Sequence, residues 1–216
     1  MPGATTNPSK RRRTANPPSE MRPSLHERSD GRHVDIICPS DGKAFAQIAR
    51  GTAADIDAAV KAVRAAFEKG AWGKLTAVER ARTLTKLGQK VLDHFEDLAG
   101  LEARDTGKPM KQARAHITAT ARYFDFYGAA ADTVHGDVIS FLEGDMVTAL
   151  REAKGVTGPF IPWNYPAHMF GCSRAPALAM GNATVIKPPP GRRVPPCYVA
   201  RKWPWRWAFP MGPSIW

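Results

Sequence analysis

The sequence predicts an α/β fold in which helices pack on a small parallel β-sheet. Two short apolar runs, residues 156–161 and 183–186, are bounded by glycine, proline and lysine and are typical of buried parallel strands. Between them, Pro166 can begin a helix at its first turn, where a missing N–H group is tolerated, and residues 181–182 can end it because glycine accepts a positive φ. These observations together predict one β–α–β unit.

Three helices are predicted to precede this unit, because apolar residues recur at helical spacing in three stretches. The first begins at residues 52–55, where threonine and aspartate can form a capping box, and ends at Gly70. The second begins with a similar box at residues 76–79 and is predicted as one helix whose buried face extends over residues 84–98. The third extends from about residue 109 to a turn at residue 136. These apolar stripes indicate core packing rather than a cofactor site.

Two pairs of short strands complete the predicted elements. Residues 34–37 and 45–48 are predicted strands near the start, and Cys38 lies in a strand or hairpin there. Residues 138–142 and 146–151 flank a Glu-Gly-Asp sequence, which is a hairpin signal.

Composition divides the chain into three predicted parts. Residues 1–32 are rich in proline, serine, threonine and arginine and are predicted to form a disordered basic tail. Residues 190–216 form an aberrant Arg/Pro/Trp-rich tail, with no acidic residue and with four of the six tryptophans. The two ends carry most of the formal net charge of +11, so the predicted domain over residues 33–189 is close to neutral.

Polar side chains are predicted to meet at one edge of the parallel sheet. Ligands of open α/β sheets bind outside the carboxyl ends of the strands, which places Trp163, Asn164 and Lys187 on one rim. Lys187 can donate to ribose hydroxyls or phosphate, Asn164 can stabilise a developing oxyanion, and Trp163 offers a flat apolar wall. Residue chemistry equally allows a structural interpretation, in which Asn164 caps the helix, Trp163 is core and Lys187 is a solvated strand end.

Four segments carry a resemblance to a known family. They are Pro-Trp-Asn-Tyr-Pro at 162–166, Ala-Pro-Ala-Leu-Ala-Met-Gly-Asn at 175–182, Val-Ile-Lys-Pro at 185–188 and Asp-Thr-Gly-Lys-Pro at 105–109. In this order and spacing the chain resembles the aldehyde dehydrogenase superfamily over roughly residues 34–188, and is most similar to its betaine-aldehyde and broad aldehyde-oxidising members.

The resemblance implies a fold and an activity. The fold would be an incomplete Rossmann-like NAD(P)-binding domain with N-terminal helices and part of a small oligomerisation sheet, the hairpin at about 136–152. The activity would be NAD- or NADP-dependent oxidation of a small aldehyde to a carboxylic acid through a cysteine thiohemiacetal, in a homo-oligomer.

The resemblance also assigns roles to individual residues. Asn164 matches the asparagine whose amide stabilises the oxyanion of the thiohemiacetal. Ile161 and Trp163 match cofactor-lining positions, and Lys187 matches the lysine that bonds the adenosine ribose. The family usually has a glutamate three residues after that lysine, where this chain has Pro190.

The family's cysteine nucleophile and glutamate general base lie well beyond the lysine-proline motif, and Cys38, Cys172 and Cys197 do not match the nucleophile. We therefore expect this chain to be inactive alone, and a non-catalytic truncated fragment or pseudo-enzyme is the first alternative.

The codons of residues 199–213 permit a second reading frame, in which the last base of each codon is joined to the first two bases of the next. This frame permits Ala-Glu-Met-Ala-Val-Glu-Val-Gly-Phe-Pro-Asp-Gly-Ala, the helix and turn expected of the family. We hypothesise a frameshift near residues 188–193, which resequencing of the locus would decide.

Charge, histidines and cysteines leave a few further expectations. The basic run at residues 10–13 and the tail tryptophans allow nucleic-acid binding as a second alternative, although such a run is usually only solvated.

His94 and His116 are expected to be surface or half-buried histidines without an obvious partner. Three cysteines without metal-ligand spacing argue against a disulfide framework or a zinc site. Without an apolar run of signal or membrane-spanning length, the expected location is cytoplasmic.

Overall fold

A computed structural model describes residues 33–188 and 214–215. The predicted disordered tail at 1–32 and most of the predicted Arg/Pro/Trp-rich tail at 190–216 lie outside the described residues, as do Pro190 and Cys197. The domain boundaries and the frameshift therefore stay predictions.

The described residues form mixed helices and strands in an αβ arrangement. In chain order these are β1 (His33–Ile37), β2 (Ala44–Ala49), α1 (Ala53–Lys69), a short 3₁₀ turn (Trp72–Lys74), α2 (Ala77–Asp93), α3 (Phe95–Thr106), α4 (Met110–Ala130), β3 (Asp137–Ser140), β4 (Met146–Ala149), β5 (Val156–Thr157), α5 (Pro166–Ala179), β6 (Ala183–Val185) and β7 (Ser214–Ile215). The pairs β1–β2 and β3–β4 are antiparallel hairpins. The hairpin of β3 and β4 was predicted, whereas β1 and β2 were predicted only as strands.

Both predicted capping boxes are present. In α1 the Thr52 N–H donates to Asp55 Oδ2 at 2.7 Å, and the Asp55 N–H donates back to Thr52 Oγ1 at 3.4 Å. In α2 the corresponding bonds join Thr76 and Glu79 at 2.8 and 3.3 Å. Each box satisfies two N–H groups that have no partner within the helix, which is why these starts could be read from the sequence.

The predicted second helix is two helices, which corrects the sequence interpretation. The chain bends at His94, with φ of −116° and ψ of 29°, so that α2 ends at Asp93 and α3 begins at Phe95. Val91 before the bend and Leu98 after it are both buried. Because both helices face the same core, the apolar spacing continues across the bend and conceals it. The predicted third helix also ends earlier than expected, at Ala130.

The parallel sheet has the order β5–β6–β7. Val156 pairs with Ala183, and further along the two strands Phe160 pairs with Lys187, so both pairs have the same separation in sequence. The predicted strand over residues 156–161 is interrupted between these pairs, where the sequence is Gly158-Pro159, and Pro159 has no N–H group for the ladder. Pairing nevertheless resumes in register, so the two predicted strand ends do lie side by side.

The core lies where α4 packs against α2, α3 and α5. Its largest fully buried side chains include Phe124, Leu84, Leu87, Ile117 and Leu178. None of the described helices is both long enough and apolar enough to cross a membrane.

A glycine lets α5 approach α4 closely. A Cβ atom added at Gly171 would lie 3.1 Å from both Cα and O of Thr120. We expect Gly171→Ala to lower the free energy of unfolding by about 1–3 kcal/mol, because backbone atoms would have to move apart. The matched control is Gly100→Ala in α3, where a Cβ would meet nothing within 4 Å.

The control should stabilise the protein by about 0.4–1 kcal/mol, because alanine restricts the unfolded chain more than glycine does. Urea unfolding of the two variants beside the parent protein measures both values. Equal effects of the two substitutions would show that the α4–α5 contact is looser than described.

Candidate functional site

The predicted rim forms where the two parallel strands end. The Ile161 N–H donates to the Lys187 carbonyl at 3.0 Å, and the Lys187 N–H donates to the Pro159 carbonyl at 3.0 Å. The chain then leaves the sheet through Trp163 and Asn164 and enters α5 at Pro166. The backbone pairing therefore brings the lysine and the turn with Trp163 and Asn164 to the same edge of the sheet.

The exposure of these side chains contradicts the structural interpretation for Trp163 and Asn164, whereas for Lys187 it fits both interpretations. Trp163 is 55% exposed, so it is not a core residue. Asn164 is exposed and does not cap α5, since the N-cap position is Tyr165 and no side chain of that residue caps the helix. Lys187 is exposed and its ammonium donates to the Pro188 carbonyl at 3.3 Å. Ile161 is different, because its side chain is only 2% exposed and belongs to the core.

A buried cluster of ionisable groups lies next to the turn. The Lys108 ammonium donates to Glu102 Oε1 at 2.6 Å and to the backbone carbonyl of Asn164 at 3.1 Å, and it lies 2.8 Å from His116 Nδ1. The Glu102 side chain is 0% exposed and that of Lys108 is 9% exposed. One lysine thus joins a buried carboxylate to the segment that carries Asn164.

His116 corrects an expectation, since it was predicted to have no obvious partner. Its side chain is 14% exposed, with Nδ1 3.0 Å from Glu102 Oε1. Its ring centroid lies 4.8 Å from that of Tyr165. The sequence could not show this, because Glu102, Lys108 and His116 belong to α3, the following turn and α4, and no periodic spacing connects them.

The first turn of α5 is held by the same cluster and by α4. Glu102 Oε2 accepts the Ala167 N–H at 3.3 Å, which places a carboxylate at the positive end of the helix dipole. The Thr120 hydroxyl lies 2.8 Å from the Ala167 carbonyl and 2.8 Å from the His116 carbonyl, and it can donate to one of them at a time. The segment after Asn164 is therefore tied to both α3 and α4.

His168 is a further polar side chain in the first turn of α5. Its Nε2 lies 3.0 Å from the Tyr123 hydroxyl. Burial, and next the neighbouring His116, hold the pKa of His168 below its ordinary value of 6.5. The folded protein thus favours the neutral ring.

The lowered pKa of His168 predicts a pH dependence of stability. The unfolded chain takes up a proton near the ordinary value of 6.5, whereas the folded protein does so only at lower pH. The stabilising contribution is therefore complete above that value and is lost as the pH falls through the folded pKa. We expect His168→Gln to lose less stability than the parent protein between about pH 7 and pH 5. Urea unfolding at both pH values measures this, and identical pH slopes would contradict it.

The described cysteines and carboxylates do not form a metal site. Cys38 is buried after β1 and Cys172 is half-buried on α5, and both are free thiols. Within the two described ranges, no group of three or more His, Cys, Asp and Glu side chains could hold a metal ion.

Comparison with known proteins identifies the family to which this chain belongs. A model of the aldehyde dehydrogenase family matches residues 26–202, so the chain belongs to the aldehyde dehydrogenase family. It is 42% identical to aldehyde dehydrogenase family 2 member B4, mitochondrial, of Arabidopsis thaliana over 160 residues, which is 74% of this chain and 30% of the relative. It is 37% identical to the NADP/NAD-dependent aldehyde dehydrogenase PuuC of Escherichia coli over 161 residues, 74% of this chain and 32% of that protein.

Solved structures are similar as well. A double mutant of betaine aldehyde dehydrogenase from Staphylococcus aureus, in complex with NAD⁺, matches with a TM-score of 0.82 and 30% identity over 88% of this chain and 38% of the other. PnpE from Pseudomonas sp. WBC-3 matches with a TM-score of 0.70 and 38% identity over 74% of this chain and 32% of that chain. The chain thus spans about a third of the length of the proteins it matches.

Proposed function

We propose that this chain provides the oxyanion and adenosine-ribose corner of an NAD(P)-dependent aldehyde dehydrogenase. The observation that carries the proposal is the parallel bridge between Phe160 and Lys187, which brings an exposed lysine and the Trp163–Asn164 turn to one edge of the sheet. Membership of the family and the NAD⁺ bound to the similar Staphylococcus aureus structure support it.

The exposed residues suit a dinucleotide chemically. Lys187 has three N–H donors, and in the described structure one bond to Pro188 leaves donors for ribose hydroxyls. Trp163 offers an exposed flat face at the same edge of the sheet. Ile161 would line the cofactor mainly through its backbone, because its side chain is buried. When bound, NAD(P) would accept the hydride that leaves the aldehyde carbon.

Asn164 would act on the substrate. Attack of a cysteine thiolate on an aldehyde places negative charge on the former carbonyl oxygen, and an amide N–H that is already in place stabilises this charge without reorganisation. The Asn164 side chain is exposed at the rim and can donate such a bond. Because Cys38, Cys172 and Cys197 do not match the family nucleophile, we propose that this chain does not turn over aldehyde by itself.

The hairpin of β3 and β4 is proposed to pack in a homo-oligomer. Its surface carries large apolar side chains that are between 64% and 81% exposed, namely Val138, Phe141, Leu142, Met146 and Leu150. An exposed apolar patch of this kind is typical of an interaction site.

Calorimetric titration of the full chain with NAD⁺ tests the cofactor part of the proposal. We expect Lys187→Met to weaken binding on the order of tenfold or more, because it removes hydrogen bonds from a charged donor. The matched control is Lys154→Met, an exposed lysine that precedes β5 and so lies toward the opposite end of that strand. Equal affinities of both variants would contradict the assignment of Lys187.

The catalytic part is tested separately by following NADH absorbance with an aliphatic aldehyde and NAD⁺. Binding without NADH formation is the expected result for this chain. Steady turnover would show that one of its own residues replaces the family nucleophile, and it would contradict the proposal that the chain is inactive alone.

A further inference from the structure

We infer that Lys108 and Glu102 are positioning residues for Asn164, an inference whose functional meaning rests on the proposed function. Lys108 donates to the Asn164 carbonyl, and Glu102 accepts from the Ala167 N–H. The cluster of Glu102, Lys108 and His116 thereby fixes the backbone on both sides of Tyr165 and Pro166. None of these three residues was among the site residues predicted from the sequence.

The burial of the cluster indicates a role in geometry. A buried ion pair is weak support for stability, because removing two charges from water offsets much of their attraction, and apolar residues of similar size often replace such pairs without loss. Here the fully buried carboxylate of Glu102 and the nearly buried Lys108 lie next to Asn164, whose side-chain amide is exposed at the rim. Apolar side chains could not supply directional hydrogen bonds to the backbone.

Lys108 joins the buried carboxylate to the turn through directed hydrogen bonds. An ammonium group has three donors and no acceptor. The Lys108 ammonium donates to Glu102 Oε1 and to the Asn164 carbonyl, and it lies 2.8 Å from His116 Nδ1. His116 Nδ1 also lies 3.0 Å from Glu102 Oε1.

The segment between the two anchors has little freedom. The anchored groups, the Asn164 carbonyl and the Ala167 N–H, are separated only by Tyr165 and Pro166, and proline restricts its own φ and the conformation of the residue before it. The Tyr165 ring centroid lies 5.4 Å from Lys108 Nζ and 4.8 Å from the His116 ring. With the backbone held in this way, only the side-chain torsions of Asn164 stay adjustable, so its amide samples a small region of the rim.

Carbonyl chemical shifts of the full chain test this inference without any cofactor. The chain has four asparagines, so selective ¹³C labelling of asparagine carbonyls yields few signals, and the Asn164 signal is identified by its loss in Asn164→Ala. Loss of a hydrogen bond to a carbonyl moves its carbon signal upfield. We expect Lys108→Met to shift the Asn164 signal upfield and to leave that of Asn182 in place.

The matched control is Lys90→Met, because Lys90 pairs with Asp93 on the exposed side of α2. It should leave both asparagine signals unchanged. A general loss of stability would not move the Asn164 signal of the molecules that remain folded. An Asn164 signal in Lys108→Met at its parental position would overturn the inference.

A second measurement needs no substitution and so holds even if Lys108→Met does not fold. In the parent protein we expect a nuclear Overhauser contact between the ε-methylene protons of Lys108 and the ring protons of Tyr165. Its absence in the folded protein would also overturn the inference. Since neither measurement contains NAD⁺, a failure of NAD⁺ binding would contradict the proposed function alone.

Discussion

Replacing Lys108 by methionine is expected to lower the free energy of unfolding by about 3–5 kcal/mol. Glu102 is 0% exposed, and the substitution removes the ammonium that lies 2.6 Å from its carboxylate. The methionine side chain keeps most of the apolar volume of the lysine stem, so loss of packing contributes little. Urea unfolding at neutral pH measures the change.

A double variant separates loss of the charge pair from any other effect. When Glu102→Met is combined with Lys108→Met, no carboxylate remains buried without its partner, and most of the lost stability should return. If the single variant were within about 1 kcal/mol of the parent protein, the carboxylate would not depend on Lys108.

Phe124→Ala is expected to destabilise the protein by a similar amount, about 3–5 kcal/mol. Phe124 on α4 is fully buried, and its ring centroid lies 6.2 Å from that of Phe170 on α5 in an edge-to-face arrangement. Truncation would remove apolar area and leave a cavity between the two helices. Thermal or urea unfolding measures the effect.

The same helix offers a matched control two residues further on. Phe126 is 62% exposed, so Phe126→Ala removes the same atoms from a site that water already reaches. Its effect should be within about 1 kcal/mol. Comparable losses in the two variants would mean that α4 does not present the face containing Phe124 to the core.

Local signals were sufficient for much of the fold. The starts of α1 and α2 follow from side chains that satisfy backbone donors three residues away, and α5 ends before Gly181, which has φ of +80°. The hairpin of β3 and β4 was likewise predicted, with Gly144 at φ of +87° in its turn. These features depend on neighbours in sequence, so spacing alone reveals them.

Tertiary contacts explain what the sequence did not show. The bend at His94 leaves Val91 and Leu98 in the same core, so the apolar period does not change there. His116 meets Glu102 because α3 and α4 pack together. The predicted parallel strands indicated that Asn164 and Lys187 lie at one edge, but the bond to the Asn164 carbonyl comes from Lys108, 56 residues earlier.

Saturation-transfer NMR of the full chain with NAD⁺ tests the central claim most directly, because it shows which part of the ligand contacts the protein. If Lys187 and the Trp163–Asn164 turn form a cofactor edge, the adenosine ribose protons should receive strong saturation, and Lys187→Met should reduce it. No transfer to NAD⁺ would contradict the account, and so would transfer that Lys187→Met leaves unchanged.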